Sequence, residues 1–296
     1  MTRKEFEENQ KAMKIKALAP WFGAKRNLAP RIVELLGRHS IYWEPFCGSM
    51  AVLLAKPPCR METVNDLHCD LINLAKVIQD RDTCLQLYKR LRRVLFHEDI
   101  VAYANELIYD NQFEPTIERA FWYFIHSWIG RNGNAGCRDH NQQFCRRFTS
   151  KGGASETRFQ STIKSISAWR QRLRGVCILN MDAFEMLERI EDEKNGVIYV
   201  DPPYFRKRDR YKYDFKPEDH QRLAELLHRF KRARIVISYY DHPKLTELYP
   251  GWYREEIVVS KAIAHQSARG KNKTKATEVL LVNQATEDIA TKGLFK

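Results

Sequence analysis

Asp201, Pro202, Pro203 and Tyr204 stand in one run, directly after the apolar stretch Val197-Ile198-Tyr199-Val200. An acid, two prolines and an aromatic ring offer a narrow set of chemical options. The apolar stretch is β-branched and aromatic and follows the turn pair Asn195-Gly196, so it reads as a buried strand. Asp201 then falls at the carboxyl end of that strand, where open α/β sheets bind their ligands. The prolines remove two backbone donors and stop the strand, leaving carbonyls as acceptors. Tyr204 adds a flat face. Such a site accepts hydrogen bonds from a planar amine and stacks its ring; the phenol is its only evident proton donor. A bare Asp-Pro is also a common turn start, whereas the full string behind a strand is much more specific.

Three further clusters follow expected strands. Glu44-Pro45-Phe46-Cys47-Gly48-Ser49 carries a glycine that lets backbone approach a ligand closely. No GxGxxG occurs, which argues against a dinucleotide pyrophosphate. Asp66 ends a second strand and can take both hydroxyls of a ribose, or equally cap the following helix. Asp182-Ala183-Phe184 offers an acid and a ring for a purine, with a capped helix and a core phenylalanine as the alternative. Trp21-Phe22-Gly23-Ala24-Lys25 puts a cation where it can meet a ligand carboxylate, although by residue type alone a turn into a helix explains it better.

The elements that must hold these clusters are legible from periodicity. Asn27 to Gly37 reads as a helix, Ile41 to Phe46 as a strand, Ala51 to Leu54 as a short helix, Thr63-Val64 as a strand and Leu67 to Ile78 as a helix. This alternation predicts a parallel sheet. Helical spacing continues through Leu85–Leu95, Asp99–Tyr109 and Ile117–Trp128, and a stretch rich in Gly, Asn, Ser and Arg then runs from Gly130 to Ser155. Residues 83–162 read as an inserted, mostly helical module. Residues 1–82 and 163–296 form the main domain. In the latter part, Thr157 to Leu173, Ala183 to Ile190 and Pro217 to Lys231 read as helices, and Val176–Leu179 and Ile235–Ser238 as strands. Glu255–Ser260 and Glu278–Asn283 suit a closing hairpin.

The formal net charge of the 296 residues is +13, which favours a polyanionic partner through steering and counterion release. The positive charge gathers in loop-like segments. Arg131, Arg146, Arg147 and Lys151 lie in the glycine-rich stretch, Arg206, Lys207, Arg208, Arg210 and Lys212 follow Tyr204, and Arg269, Lys271, Lys273 and Lys275 lie between the hairpin strands. The seven cysteines are scattered, odd in number and free of CxxC, which suits reduced thiols in a cytoplasm. Cys137, His140 and Cys145 lack a fourth ligand at zinc spacing, so no metal is expected. No apolar run is long enough for a membrane span, and the charged residues before Lys16 do not suit a signal peptide.

Taken in order, Trp21 to Lys25, Glu44 to Ser49, Asn65-Asp66, Asp182 to Phe184, Asp201 to Tyr204 and Thr277-Glu278-Val279 resemble the DNA adenine methylases of the deoxyadenosine methylase family, in its alpha arrangement. Ala24 departs from the glycine usual in that family. The resemblance implies an α/β, Rossmann-like methyltransferase sheet, S-adenosylmethionine as donor, and a target-recognition role for residues 83–162. It implies donor contacts from Trp21, Lys25, Glu44, Phe46, Gly48, Asp66, Asp182, Phe184 and Asp201, with Lys25 near the donor carboxylate. Asp201 and the Pro202 carbonyl would accept from the amino group of an adenine flipped out of double-stranded DNA, with Tyr204 stacked on the base. It also implies a prokaryotic or phage-encoded protein, with a cognate restriction enzyme as an open question. Cytosine N4, adenine in RNA, a protein glutamine and a non-catalytic DNA-binding relative are the rival readings.

Overall fold

The computed structural model describes residues 1–21, 23, 25–109, 114–130, 144, 155–205, 215–260 and 275–283. Its elements run α1 (Arg3–Ala12), α2 (Ala29–Leu36), β1 (Ile41–Glu44), α3 (Ala51–Ala55), β2 (Met61–Asn65) and α4 (Cys69–Gln79). Four helices follow: α5 (Arg81–Leu91), α6 (Glu98–Tyr109), α7 (Ile117–Ile129) and α8 (Ser155–Leu173). The chain closes with β3 (Val176–Leu179), α9 (Ala183–Arg189), β4 (Gly196–Val200), α10 (Pro217–His228), β5 (Arg234–Tyr240), α11 (Lys244–Leu248), β6 (Tyr253–Ser260) and β7 (Lys275–Val282).

Among the described residues these strands form a seven-stranded sheet in the order β3-β2-β1-β4-β5-β7-β6. The first five are parallel. Strand β7 runs antiparallel between β5 and β6, so the expected hairpin closes the sheet. The parallel sheet expected from the alternation of elements, and the Rossmann-like α/β class that the family resemblance implies, are thus the ones observed. Helix starts follow local chemistry. Asp80, Thr116 and Asp182 cap α5, α7 and α9 through side-chain oxygens, and Pro217 opens α10. Helix α1 is an element the sequence reading passed over. A Thr2–Glu5 capping box starts it, and buried Asn9 ties it to the Ala168 carbonyl of α8 at 3.1 Å.

Both sheet faces are covered, and alternation along the strands sorts the core into two halves. Tyr42, Val64, Val197, Tyr199, Val236 and Leu280 pack beneath α2, α4, α7 and α8. Ile198, Val200, Ile235, Ile237, Val279 and Leu281 pack beneath α9 and α10. All five residues of β4 are buried, and each large apolar side chain there contributes roughly 1.5–3 kcal/mol relative to exposure. This is why the strand before Asp201 is a continuous apolar run. Helices α5 to α7 share the first half of the core with the sheet. The bounds expected for the inserted module, 82/83 and 162/163, fall within α5 and α8.

Low on that first face sits a buried charge cluster. Lys56 Nζ meets Glu62 Oε1 at 2.5 Å, and Arg172 forks onto both Glu62 oxygens at 2.6 and 2.7 Å. Lys56 also stands 4.6 Å over the Tyr42 ring. Burial lowers the Lys56 pKa against the pull of Glu62. The cluster pins the end of α8 to β2.

Candidate active site

Strands β1 and β4 are neighbours, and the chain leaves them toward opposite sides of the sheet. Their carboxyl ends therefore open a crevice, the place where such sheets bind ligands. The loop after β1 lines it. Gly48 has φ +44°, and a Cβ built there would lie 2.9 Å from Trp21 Nε1 and 3.1 Å from Trp21 Cδ1. Only glycine fits without moving the indole. Met50, at φ 58°, also adopts the left-handed conformation as it leads into α3, a strained choice for a residue with a side chain. The loop holds this shape because Asn65, fully buried at the end of β2, clamps it. Its Nδ2 donates to the carbonyls of Pro45 (3.0 Å) and Met181 (2.9 Å), and its Oδ1 accepts from Met181 N at 3.0 Å. One side chain thereby joins the loops after β1, β2 and β3.

A cavity of about 300 Å³ fills the crevice. Trp21, Lys25, Glu44, Phe46, Gly48, Asp66, Asp182, Phe184 and Asp201, all nine residues expected at a donor site, line it together. Asp66 is half-buried. Its Oδ2 accepts from Gly48 N at 2.8 Å and its Oδ1 from His68 N at 2.9 Å. Burial raises its pKa against these backbone donors. Asp182 Oδ1 accepts from Phe184 N (2.8 Å) and Glu185 N (3.3 Å), so it caps a helix and lines the cavity at once. The two readings of Asp182 are therefore compatible.

Residues that no motif announced complete the wall. Phe215 stacks on Phe184 at 5.5 Å and 15° and meets Phe46 edge-on at 5.6 Å. Arg222 lies 4.4 Å over Phe184. His68 caps α4, accepting from Leu71 N, and packs edge-on against Trp21 at 5.4 Å. Phe215, Arg222 and His68 all line the cavity. The proline start of α10 was the available signal for Phe215 and Arg222. Arg222 lies on the first turns of that helix, and Phe215 just before it.

Asp201 is the most heavily bonded group of the site. Its Oδ1 receives Tyr204 Oη at 2.9 Å, Ser238 Oγ at 2.9 Å and the Lys25 ammonium at 3.0 Å. Lys25 is only 4% exposed. It also donates to the Gly23 carbonyl at 2.7 Å and stands 3.9 Å from Glu278 Oε2. Burial works against its charge, but Asp201 and Glu278 outweigh that and hold its pKa above the ordinary lysine value. Glu44, 1% exposed, accepts from Tyr42 Oη at 2.8 Å.

Two expectations change here. Lys25 was placed near a ligand carboxylate, but its ammonium is committed to two carboxylates of the protein itself. Tyr204 was read as a flat face for stacking on a base, but the residue is 3% exposed. Lys25 sits 4.8 Å over the centre of its ring, and Tyr240 packs edge-on at 4.8 Å. The phenol is drawn to Asp201, and the ring follows it inward. Pro202 is buried and Pro203 lines the cavity.

Arg131, Arg146, Arg147, Lys151, Arg206, Lys207, Arg269, Lys271 and Lys273, expected on DNA, lie outside the described residues, as do Cys137, His140 and Cys145. Among the described residues no group of His, Cys, Asp and Glu is arranged to hold a metal, and no helix is long and apolar enough to cross a membrane.

The family model described as D12 class N6 adenine-specific DNA methyltransferase matches residues 21–266. No curated protein matches the chain. Among solved structures, precorrin 8w decarboxylase of Methanobacterium thermoautotrophicum is similar at 11% identity and a TM-score of 0.38, over 88% of this chain and 90% of that one. Precorrin-6y C5,15-methyltransferase of Geobacter metallireducens is similar at 9% identity and a TM-score of 0.34, over 86% and 87%. SMU.472, solved in complex with SAH, shows 11% identity and a TM-score of 0.35, over 87% of this chain and 52% of that one.

Proposed function

The chain belongs to the D12 class N6 adenine-specific DNA methyltransferase family, and from that premise we propose that it methylates N6 of an adenine flipped out of double-stranded DNA at a specific sequence, with S-adenosylmethionine as donor. The observation that carries this reading is the convergence of Trp21, Gly48, Asp66, Asp182, Phe184 and Asp201 on one cavity at the β1–β4 crevice. The cavity suits a nucleoside. Asp66 supplies a carboxylate for ribose hydroxyls, Phe184 and Phe215 supply an aromatic wall beside Asp182, and Gly48 leaves the wall beneath Trp21 bare. When bound, S-adenosylmethionine supplies an electrophilic methyl on a sulfonium.

The protein's own part is to prepare the amine. The lone pair of an exocyclic amino group is delocalised into the purine, which makes it a poor nucleophile. Asp201 and the Pro202 carbonyl accept its two N–H bonds and draw the nitrogen toward tetrahedral geometry. The lone pair is then localised toward the cavity. Lys25 and the Tyr204 hydroxyl hold Asp201 in place, so catalysis rests on positioning and preset electrostatics. The segment 83–162 carries target recognition, and the clustered basic residues grip the phosphates.

Expression in a methylation-free host, followed by mapping of modified bases, tests the reading directly. N6-methyladenine at a recurring sequence is the expected result; an unmodified genome or methylated cytosine rejects it. Asp201→Ala abolishes methylation while duplex affinity stays within about threefold. Near-normal turnover in that variant removes Asp201 from the chemistry.

A further inference from the structure

The register of the sheet builds a polar row across the first face. Val200 pairs with Ile237, which places Asp201 beside Ser238, and Tyr240 pairs with Glu278. Ser238 is fully buried and does not line the cavity. Its Oγ lies 2.9 Å from Asp201 Oδ1 and 2.9 Å from the Tyr199 hydroxyl. Chemistry sets the direction of both bonds. Ser238 donates its one hydroxyl proton to Asp201, so Tyr199 must donate to Ser238. Buried at the foot of this chain, the Tyr199 phenol has its pKa raised by burial and then by Asp201, which keeps it a neutral donor.

Counted at the carboxylate, Oδ1 receives three donors, from Lys25, Tyr204 and Ser238. Among the described residues no hydrogen bond falls on Oδ2. Three donors exceed the two lone pairs of one oxygen. Oδ1 is saturated, the carboxylate plane cannot turn without breaking charge-assisted bonds, and Oδ2 is the acceptor left over. We infer that Ser238, fixed by Tyr199, is a positioning residue for methyl transfer, locking the Asp201 carboxylate so that Oδ2 alone is presented to the target amine. The inference rests on the reading of Asp201 as the amine acceptor. The bland alternative is that Ser238 merely satisfies the buried Tyr199 phenol, a purely structural service.

The full chain and a duplex carrying the mapped target separate the two. Ser238→Ala is expected to lower kcat about tenfold or more, with KM for duplex and donor within about twofold and calorimetric affinity for S-adenosylhomocysteine unchanged. Ser238→Thr, which keeps the hydroxyl, is expected to recover most of kcat. Tyr199→Phe, which frees the serine rotor, is expected to fall between. Wild-type kcat in Ser238→Ala overturns the inference, as does a loss of ligand affinity that matches the loss of kcat. If the added methyl of Ser238→Thr abolishes the melting transition, Tyr199→Phe decides: lowered kcat at constant KM supports the role, and wild-type kcat overturns it. A wild-type chain that methylates adenine while Ser238→Ala does so equally well sinks only the positioning role. A wild-type chain that methylates no adenine sinks the reading of Asp201 and this inference with it.

Discussion

Glu44 shows how much one position in the crevice alters an ordinary side chain. It is 1% exposed and shares the cavity with Asp201. Burial pushes its carboxyl up to about 8; the Tyr42 hydrogen bond opposes the rise and the negative field of Asp201 adds to it. The folded protein therefore keeps a proton on Glu44 over a range where the unfolded chain has lost it. Below about pH 4.5 both states are protonated and Glu44 contributes no pH dependence. Between there and about 8 the folded state binds the extra proton, so stability falls as pH rises, by up to about 1.4 kcal/mol per pH unit. Glu44→Gln removes the titration. Urea unfolding of the ligand-free protein should show the variant gaining on the wild type as pH goes from 5 to 8. Parallel stability curves would show that Glu44 is ionised throughout. Glu44 was identified from its place after a strand, but its protonation was not legible there. It arises from burial by the packed sheet, to which the field of Asp201, a residue far along the chain, adds.

At the level of elements, the site is an intersection of loops, and Asn65 is its knot. The sequence marks the strand ends well, because an apolar run must stop where its backbone leaves the sheet, and β1, β2, β3 and β4 end within about two residues of expectation. What joins those ends is not marked, since an asparagine after a strand reads the same whether it faces water or holds three loops. Asn65→Ala leaves the Pro45 and Met181 carbonyls and the Met181 N–H without their partner. The expected cost is about 2–4 kcal/mol, the scale of two or three unsatisfied buried groups. Urea denaturation measures it, and donor affinity should weaken in parallel because Gly48 and Asp182 are held by the loops Asn65 joins. An unchanged midpoint would mean that water replaces the clamp.

For the whole molecule, the net charge of +13 is the feature that bears on a polyanion. Its densest clusters lie in segments beside the motifs and between β6 and β7. Each phosphate contact steepens the fall of log K with log salt by about 0.9. Replacing Lys271, Lys273 and Lys275 by neutral residues is expected to weaken duplex binding and to flatten that slope by up to about 3. A salt titration of duplex affinity reads this, and an unaltered slope takes these lysines out of the interface.

The sequence by itself determined the chemistry available to this protein. Residue types at strand ends follow local rules of backbone and burial, and those rules act over a few neighbours. Asp201, Asp66, Asp182 and Gly48 could therefore be named before any packing was known. Only the tertiary structure decided how these groups are paired. Lys25 meets Asp201, Tyr204 turns inward, and Ser238 stands behind a carboxylate 37 residues away in the chain. Such pairings depend on strand order and register, where a shift of one residue turns a side chain to the other face. Register is settled by the burial of the whole sheet rather than by any one segment.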